Sequence, residues 1–315
     1  MERDITRPHQ SKIKSDEMSE FNLMSLFGPP METEGKGLVV VPGHGSNLKR
    51  REVIRSNIRF IPFDRFDCLV FVYANYNASE NFDLGGCRIF HKKGDWVRFQ
   101  SMIEPWAVKE AGYTTVTLML DDVLIAPPSM IADGYETGPF REGFTLDRAY
   151  DLLVAYDLSA ASPNVFASDK ATMTSGLGPV ISTSQPPKIT VKHHPKGFHS
   201  VGYNEIQIIM FRMVDSGWPC YHTMLDPELN PIGWGVDICY KAFCNATLGL
   251  MDAAAIHLGR PSVFGNLQGT ITTAFDKAEE QMREWAANRT MNYPHLSDWP
   301  KGGREILKRC ARIGS

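Results

Sequence analysis

The 315-residue sequence lacks several features that define whole classes of protein. It has no long basic run and a net charge of −3, so it offers no electrostatic footprint for nucleic acid. No stretch approaches the ~20 consecutive apolar residues of a membrane-spanning helix. The first residues also lack the apolar segment of a signal peptide. The sequence therefore predicts a cytoplasmic or soluble chain, with no membrane anchor visible in it.

Cysteine is sparse, and its six positions include no C-x-x-C pair of the kind that binds zinc or carries redox chemistry. We expect most of these residues to be buried apolar side chains in a reducing compartment. The sequons at Asn77, Asn245 and Asn288 would matter only in a secretory lumen, and we interpret them as coincidental. The cysteines are Cys68, Cys87, Cys220, Cys239, Cys244 and Cys310.

The composition is that of one large globular unit, with 43% hydrophobic and 22% charged residues. Residues 1–35 are polar and show no sustained period, which predicts a mobile N-terminal tail. We expect a single α/β domain over residues 36–265. Residues 266–315 are predicted to form a C-terminal helical extension that contains a charged amphipathic helix from Phe275 to Asn288.

Runs of β-prone residues alternate with segments of helical period along the domain. The alternation predicts a mixed, mostly parallel sheet with helices on both faces. Pro105 should divide one helix, and a long loop is expected from Asn164 to Pro187. The predicted strands are Leu38–Val41, Asp67–Tyr73, Arg88–His91, Thr115–Leu120, Ser159–Ser162 and Glu205–Phe211, and the predicted helices are Leu48–Phe60, Gly94–Gly112 and Leu146–Tyr156.

A pair of carboxylates, Asp121 and Asp122, follows the most apolar of these strands. Ligands collect at the carboxyl ends of strands in open α/β sheets, and carboxylate oxygens suit Mg²⁺ or Mn²⁺ shared with substrate phosphates. Adjacent residues on an extended backbone point to opposite sides. We therefore expect one acid to bind the cation and the other to orient it or hold a sugar hydroxyl. The alternative is that the pair merely ends the strand and opens a turn.

The first strand leads into a glycine-rich segment, Pro42-Gly43-His44-Gly45-Ser46-Asn47, before the first helix. Backbone N–H groups in such a loop can bind a phosphate. The segment is neither a P-loop nor a dinucleotide fingerprint, because the required glycine spacing is missing. Nucleotide contact and a plain tight turn remain equal alternatives. The basic cluster that follows, at residues 49–51, predicts a solvated helix face.

Four segments together resemble the plant and algal family called domain of unknown function 707. They are residues 38–42, residues 96–123, residues 205–211, and the Gly-Trp-Gly-x-Asp element at 233–237 with the His-x-Gly element at 257–259. The resemblance implies a glycosyltransferase-like GT-A fold. The family has an Asp-Glu-Asp pattern at its metal corner, whereas this chain has Leu120 in the first place.

The resemblance also implies a function for several residues. It implies that Asp122 and His257 bind Mn²⁺ or Mg²⁺, that the donor is a nucleotide sugar, and that Asp237 is the general base for a glycan or other hydroxyl acceptor. Donor-binding residues are then expected at Pro42, Gly43, His44, Tyr73, Trp96 and Asp121. Acceptor-binding residues are expected at Trp234, Gly235 and Glu205.

Two other functions remain open at this stage. One is a carbohydrate- or nucleotide-binding protein that kept the fold without catalysis, which Leu120 favours. The other is a metallohydrolase built on His44, Asp121, Asp122 and His257. For the Gly-Trp-Gly-x-Asp element, the structural alternative is a glycine-permitted turn with a buried Trp and a helix-capping Asp.

Overall fold

The computed structural model describes residues 36–45, 47–73, 84–91, 94, 96–125, 143–167, 170–173, 197–201, 204, 206–228 and 236–257. The predicted tail at 1–35, the C-terminal extension at 266–315 and residues 174–187 of the predicted loop lie outside this part. The strands are β1 (Gly37–His44), β2 (Phe66–Tyr73), β3 (Arg88–His91), β4 (Thr115–Met119), β5 (Val123–Ile125), β6 (Ala160–Ala167), β7 (Lys170–Met173), β8 (Phe198–Ser200), β9 (Ile208–Arg212) and β10 (Leu248–His257). The helices are α1 (Leu48–Ile58), α2 (Trp96–Ser101), α3 (Pro105–Glu110), α4 (Leu146–Ala155), α5 (Trp218–Thr223) and α6 (Val236–Cys244).

The strands of this part of the chain form one sheet in the order β3-β2-β1-β4-β9-β6-β10-β5, with β7 beside β6 and β8 beside β10. The pairs β3-β2, β2-β1, β1-β4 and β6-β10 are parallel, and β9 is antiparallel to both β4 and β6. The predicted mixed, mostly parallel sheet is therefore confirmed. Because β1, β2, β4, β6 and β10 run in one direction, their carboxyl ends share one edge of the sheet.

Helices cover both faces of this sheet, as predicted. One core packs the sheet against α1 and α4 through apolar residues such as Ile54, Ile58 and Leu153. The other packs it against α2, α3, α5 and α6 through residues such as Val108 and Trp218. Pro105 begins α3 after the break that ends α2, which confirms the predicted division. Among the described residues, no helix is long and apolar enough to cross a membrane.

The sheet curls at its carboxyl edge. β5 lies four strand positions from β4, which in a flat sheet would be about 19 Å. The link from Met119 to Val123 spans at most about 14 Å when extended. The far half of β10 must therefore bend back towards the end of β4, and the shift of register between Met251 and Ala254 lets β10 make that bend. The curl brings His257, the last residue of β10, opposite Val123.

Two sequence-based expectations about strands are wrong. β6 extends to Ala167 and β7 follows at Lys170, so the start of the predicted loop is a β-ladder. β1 continues through the glycine-rich segment as far as His44, because its register with β2 persists to Tyr73. In both places long-range strand pairing outweighs the local signal of Pro, Gly and Ser.

Cys68 and Cys244 are buried as predicted, but the reduced state expected of the cysteines is wrong for four of the six. Cys68 is bonded to Cys87 and Cys220 to Cys244, with Cα–Cα distances of 4.5 and 5.8 Å. Each bond joins residues that are 19 or 24 positions apart, a separation without a spacing signature. Disulfides persist in oxidising compartments, so these bonds argue against a reducing, cytoplasmic environment. Cys239 is buried and outside any disulfide, as predicted.

Candidate functional site

Asp121 and Asp122 lie in the turn between β4 and β5 at the carboxyl edge of the sheet. The backbone N–H of Val123 donates to the carbonyl of Leu120 at 3.3 Å, which closes the turn around the two acids. The expectation that they point to opposite sides is wrong, because the backbone is turned here and not extended. Both carboxylates instead face the same side chain.

That side chain is Arg50, in the first turn of α1. One of its nitrogens, Nη1, pairs with Oδ1 of Asp121, and the other, Nη2, lies 3.2 Å from Oδ2 of Asp122. Nη1 also donates to the hydroxyl of Tyr73 at 3.2 Å. The side chain of Arg50 is 17% exposed. The prediction that residues 49–51 form a solvated face is therefore wrong for Arg50, and Arg51 is buried as well.

Asp121 ties three elements together at the edge of the sheet. Its carboxylate accepts hydrogen bonds from the backbone N–H of His44 at 3.0 Å, from the Tyr73 hydroxyl at 3.3 Å and from Arg50. The residue is 1% exposed. Burial raises the pKa of Asp121 to about 6, although the charge of Arg50 acts in the opposite direction. Asp121 is thus a buried carboxylate already bound by donors from β1, β2 and α1.

Asp122 differs from Asp121 because one of its carboxylate oxygens accepts no hydrogen bond from the residues that the structure describes. Its Oδ1 is buried and has no hydrogen-bond partner among the described residues. The Nε2 of His257 lies 3.6 Å from that oxygen, which is an ion-pair distance and too long for a hydrogen bond. Burial acts to raise the pKa of Asp122, but His257 and Arg50 outweigh it and the pKa is lowered. Asp122 is therefore an ionised carboxylate whose Oδ1 lies at ion-pair distance from His257 but accepts no hydrogen bond from this part of the chain, and in that sense is uncommitted.

This pair of residues suits a divalent cation. One carboxylate oxygen and one imidazole nitrogen are a donor set that Mn²⁺ accepts. The described residues contain no group of three or more His, Cys, Asp and Glu side chains that could hold a metal ion. A cation bound by Asp122 and His257 would therefore complete its coordination with water and substrate oxygens, as is usual for Mg²⁺ and Mn²⁺ beside phosphates.

The glycine-rich segment gives less support to phosphate binding. The backbone N–H groups of His44, Gly45 and Asn47 donate to Asp121, to the carbonyl of Tyr73 and to the His44 Nδ1 respectively. These amides are already used within the protein, which favours the tight-turn alternative. A Cβ on Gly43 would lie 2.9 Å from Cγ1 of Val70, so Gly43 is required for packing. The preceding residue, Pro42, is buried in β1.

Two of the predicted donor-binding residues, His44 and Tyr73, have side chains close to the acid pair. The ring of His44 contacts the ring of Tyr73 with centroids 5.2 Å apart. Burial and the nearby charges of Arg50 and Arg51 lower the pKa of His44, so its imidazole is neutral at pH 7. Trp96 begins α2 and packs, partly buried, against the core. Phe99 of the same helix contacts Tyr73, with ring centroids 6.1 Å apart.

Asp237, the predicted base, lies in the first turn of α6. Three residues separate α6 from the amino end of β10, so the last turn of α6 lies at the amino edge of the sheet. The first turn is therefore the end of α6 farther from the amino edge. The predicted acceptor residues Trp234, Gly235 and Glu205 lie outside the described residues.

No protein-family model matches this chain, and no curated protein matches it either. Among solved structures, residues 1–349 of TarS from S. aureus, in complex with UDP-GlcNAc, match with a TM-score of 0.46 and 14% identity over 87% of this chain and 72% of that one. The mannosyltransferase PcManGT from Pyrobaculum calidifontis, in complex with GDP-Man and Mn²⁺, matches with a TM-score of 0.45 and 12% identity over 90% and 71%. A likeness of this size concerns the fold, and function rests on the residues of the site.

Arg50 is the site residue that sequence reasoning missed. Two signals point to it. It follows the N-cap residue Asn47 by one helical turn, so it lies at the end of α1 nearest the carboxyl edge. Two adjacent buried acids at that edge also require a positive partner, because an uncompensated buried charge is costly.

Proposed function

We propose that this chain is a metal-dependent glycosyltransferase of the GT-A type, which moves a sugar from a nucleoside-diphosphate sugar to a hydroxyl acceptor. The observation that carries the proposal is the uncommitted Oδ1 of Asp122 beside His257 at the carboxyl edge of the sheet. Strand ends of this kind are where α/β enzymes bind their ligands. The order of motifs along the chain supports membership of the domain of unknown function 707 family.

The reaction breaks the bond between the anomeric carbon and the diphosphate oxygen and forms a bond to the acceptor oxygen. A bound Mn²⁺ or Mg²⁺ would neutralise the negative charge that develops on the leaving diphosphate. Asp122 and His257 are the residues that would hold it. Asp237 would accept the proton of the acceptor hydroxyl, and its place in the first turn of α6, the end farther from the amino edge of the sheet, is compatible with this assignment.

Thermal unfolding with nucleotides tests donor binding directly, because a ligand that binds the folded state raises its stability. We expect UDP or GDP, or one of their sugars, to raise the melting temperature in the presence of Mn²⁺ and not in its absence. Asp122→Ala should abolish the increase, while the same change at the exposed residue Asp64 should preserve it. Equal increases in wild type and Asp122→Ala would refute the metal assignment.

A non-catalytic binding protein is the second candidate. The observation that favours it is the contact of Arg50 with both carboxylates, which already neutralises much of their charge. Hydrolysis of the nucleotide sugar that depends on Mn²⁺ would exclude the binder. A large increase in turnover on addition of a glycan acceptor would then favour a transferase over a metallohydrolase.

A further inference from the structure

Arg50 is a second cation at the place where the proposed function requires a divalent one. Its guanidinium bridges Asp121 and Asp122, and its side chain is mostly buried. A divalent cation on Asp122 would lie close to this guanidinium. Like charges at such distances repel each other strongly where solvent is excluded. The two cations therefore oppose each other at Asp122 through charge repulsion, with Arg50 on Oδ2 and the divalent cation on Oδ1.

The two terminal nitrogens of Arg50, Nη1 and Nη2, differ in how many groups they contact. Nη1 is fixed by Asp121 and by the Tyr73 hydroxyl, and Asp121 is itself fixed by the backbone of His44. Nη2 contacts Oδ2 of Asp122 at 3.2 Å, the longer of the two ion pairs. The Nη2 contact with Asp122 is thus the one that can be exchanged while Nη1 stays in place.

We propose that Arg50 is a donor-site residue that releases Asp122 to the cation and binds the diphosphate of the nucleotide sugar in its place. This inference rests on the proposed function. A guanidinium presents a planar fork of N–H donors that matches phosphate oxygens. The diphosphate of the nucleotide sugar supplies a negative charge for the Nη2 of Arg50 after it leaves Asp122. The divalent cation supplies the positive charge that Asp122 loses when Arg50 leaves. Cation and diphosphate therefore bind cooperatively, each weakly without the other, because coupling between two sites is reciprocal.

The test compares wild type with Arg50→Met, which keeps most of the volume and removes the charge. Arg55→Met is the matched control, because Arg55 is exposed on the same helix. Calorimetry measures the affinity for Mn²⁺ alone, and then for inorganic diphosphate at saturating Mn²⁺. Inorganic diphosphate serves as the probe because it carries neither base nor sugar.

We expect Arg50→Met to bind Mn²⁺ alone more tightly than wild type, by about 5-fold or more, since couplings between sites typically lie at about 5–150-fold. With Mn²⁺ present, the same variant should bind diphosphate more weakly by a similar factor. Arg55→Met should match wild type in both measurements. If Arg50→Met fails to fold, Arg50→Lys replaces it, and we expect wild-type affinity for Mn²⁺ with weakened binding of diphosphate, because Lys keeps the charge without the planar fork.

The outcomes separate this inference from the proposed function. Equal affinity for Mn²⁺ in wild type and Arg50→Met, or equal affinity of wild type and either variant for diphosphate, overturns the role of Arg50 and leaves the metal site standing. Failure of wild type and Arg50→Met alike to bind Mn²⁺ overturns the metal site, and the proposed function with it.

Discussion

The side-chain amide of Asn57 is hydrogen-bonded to the backbone of β5 on both sides of Leu124. Its Nδ2 donates to the carbonyl of Val123 at 2.7 Å, and its Oδ1 accepts from the N–H of Ile125 at 2.8 Å. Asn57 lies on α1 and is buried. It thus satisfies two backbone groups of β5 and fixes the strand that follows the acid pair to the helix that carries Arg50.

Replacing Asn57 should therefore destabilise the protein. Asn57→Ala leaves a buried carbonyl and a buried N–H without partners, at a cost of about 1–3 kcal/mol each. We expect the free energy of unfolding, measured in urea, to fall by about 2–4 kcal/mol. The neighbouring change Ser56→Ala should have an effect below about 0.5 kcal/mol. Equal stability of the two variants would contradict the assignment of these hydrogen bonds.

Asp121 and Asp122 should respond differently to the same substitution. Asp121→Ala removes the acceptor of three donors and half of a buried ion pair, so we expect a loss of stability of about 3 kcal/mol. Asp122→Ala removes the acid with the uncommitted oxygen, so we expect loss of Mn²⁺ binding with a smaller loss of stability. Urea unfolding and calorimetry with Mn²⁺ measure the two effects. A larger loss of stability for Asp122→Ala than for Asp121→Ala would reverse the assignment.

Asp237→Asn should affect catalysis and not donor binding, because a general base acts on the acceptor. We expect the rate of transfer to fall by about 10²–10⁴-fold, with unchanged affinity for the nucleotide sugar. Single-turnover kinetics and equilibrium binding provide the two measurements. Loss of donor affinity in step with the rate would place Asp237 in the donor site, and full activity would remove it from the mechanism.

His222 should make stability depend on pH. Its Nε2 lies 3.0 Å from the carbonyl of Ser101 and 3.9 Å from the carboxylate of Glu104. Burial lowers the pKa of His222, although Glu104 and Ser101 act in the opposite direction. The folded state then binds fewer protons than the unfolded state, whose histidine has a pKa near 6.5. Stability is fully present above that pH and falls as the pH is lowered below it.

His222→Gln keeps a donor for Ser101 and removes this titration. Between pH 6.5 and the lowered pKa, wild type should lose stability relative to the variant by up to about 1.4 kcal/mol per pH unit. Urea unfolding of both proteins from pH 7.5 to 5 measures the difference. A difference that stays constant over this range would show that His222 does not titrate differently in the two states.

Elements with a strong local signal were predictable from the sequence. The apolar run around Leu38 gives β1, the division at Pro105 separates α2 from α3, and the run before Asp121 gives β4. Each of these predictions depends on hydrophobic periodicity or on a residue type whose effect is confined to one segment. The sequence also placed the acid pair at the carboxyl end of a strand.

Contacts between distant segments were not predictable in this way. The ion pairs of Arg50 join residues that are 71 and 72 positions apart, and neither partner carries a local signal of the other. The disulfide between Cys220 and Cys244 and the curl that brings β10 to β5 depend likewise on tertiary geometry. Sequence patterns predicted the strands that bear the site, and packing decides which side chains meet there.

The pairing of His257 with Val123 has a consequence for folding. The proposed metal site combines a carboxylate from the first half of the domain with an imidazole from β10, so it cannot assemble until β10 has closed against β5. Contacts of such long range form slowly, because a large loop must be ordered before they stabilise anything. Nascent chains and fragments that end before β10 lack His257 and therefore this site. Competence to bind Mn²⁺ would thus appear late in refolding, as a signal that the whole sheet has closed.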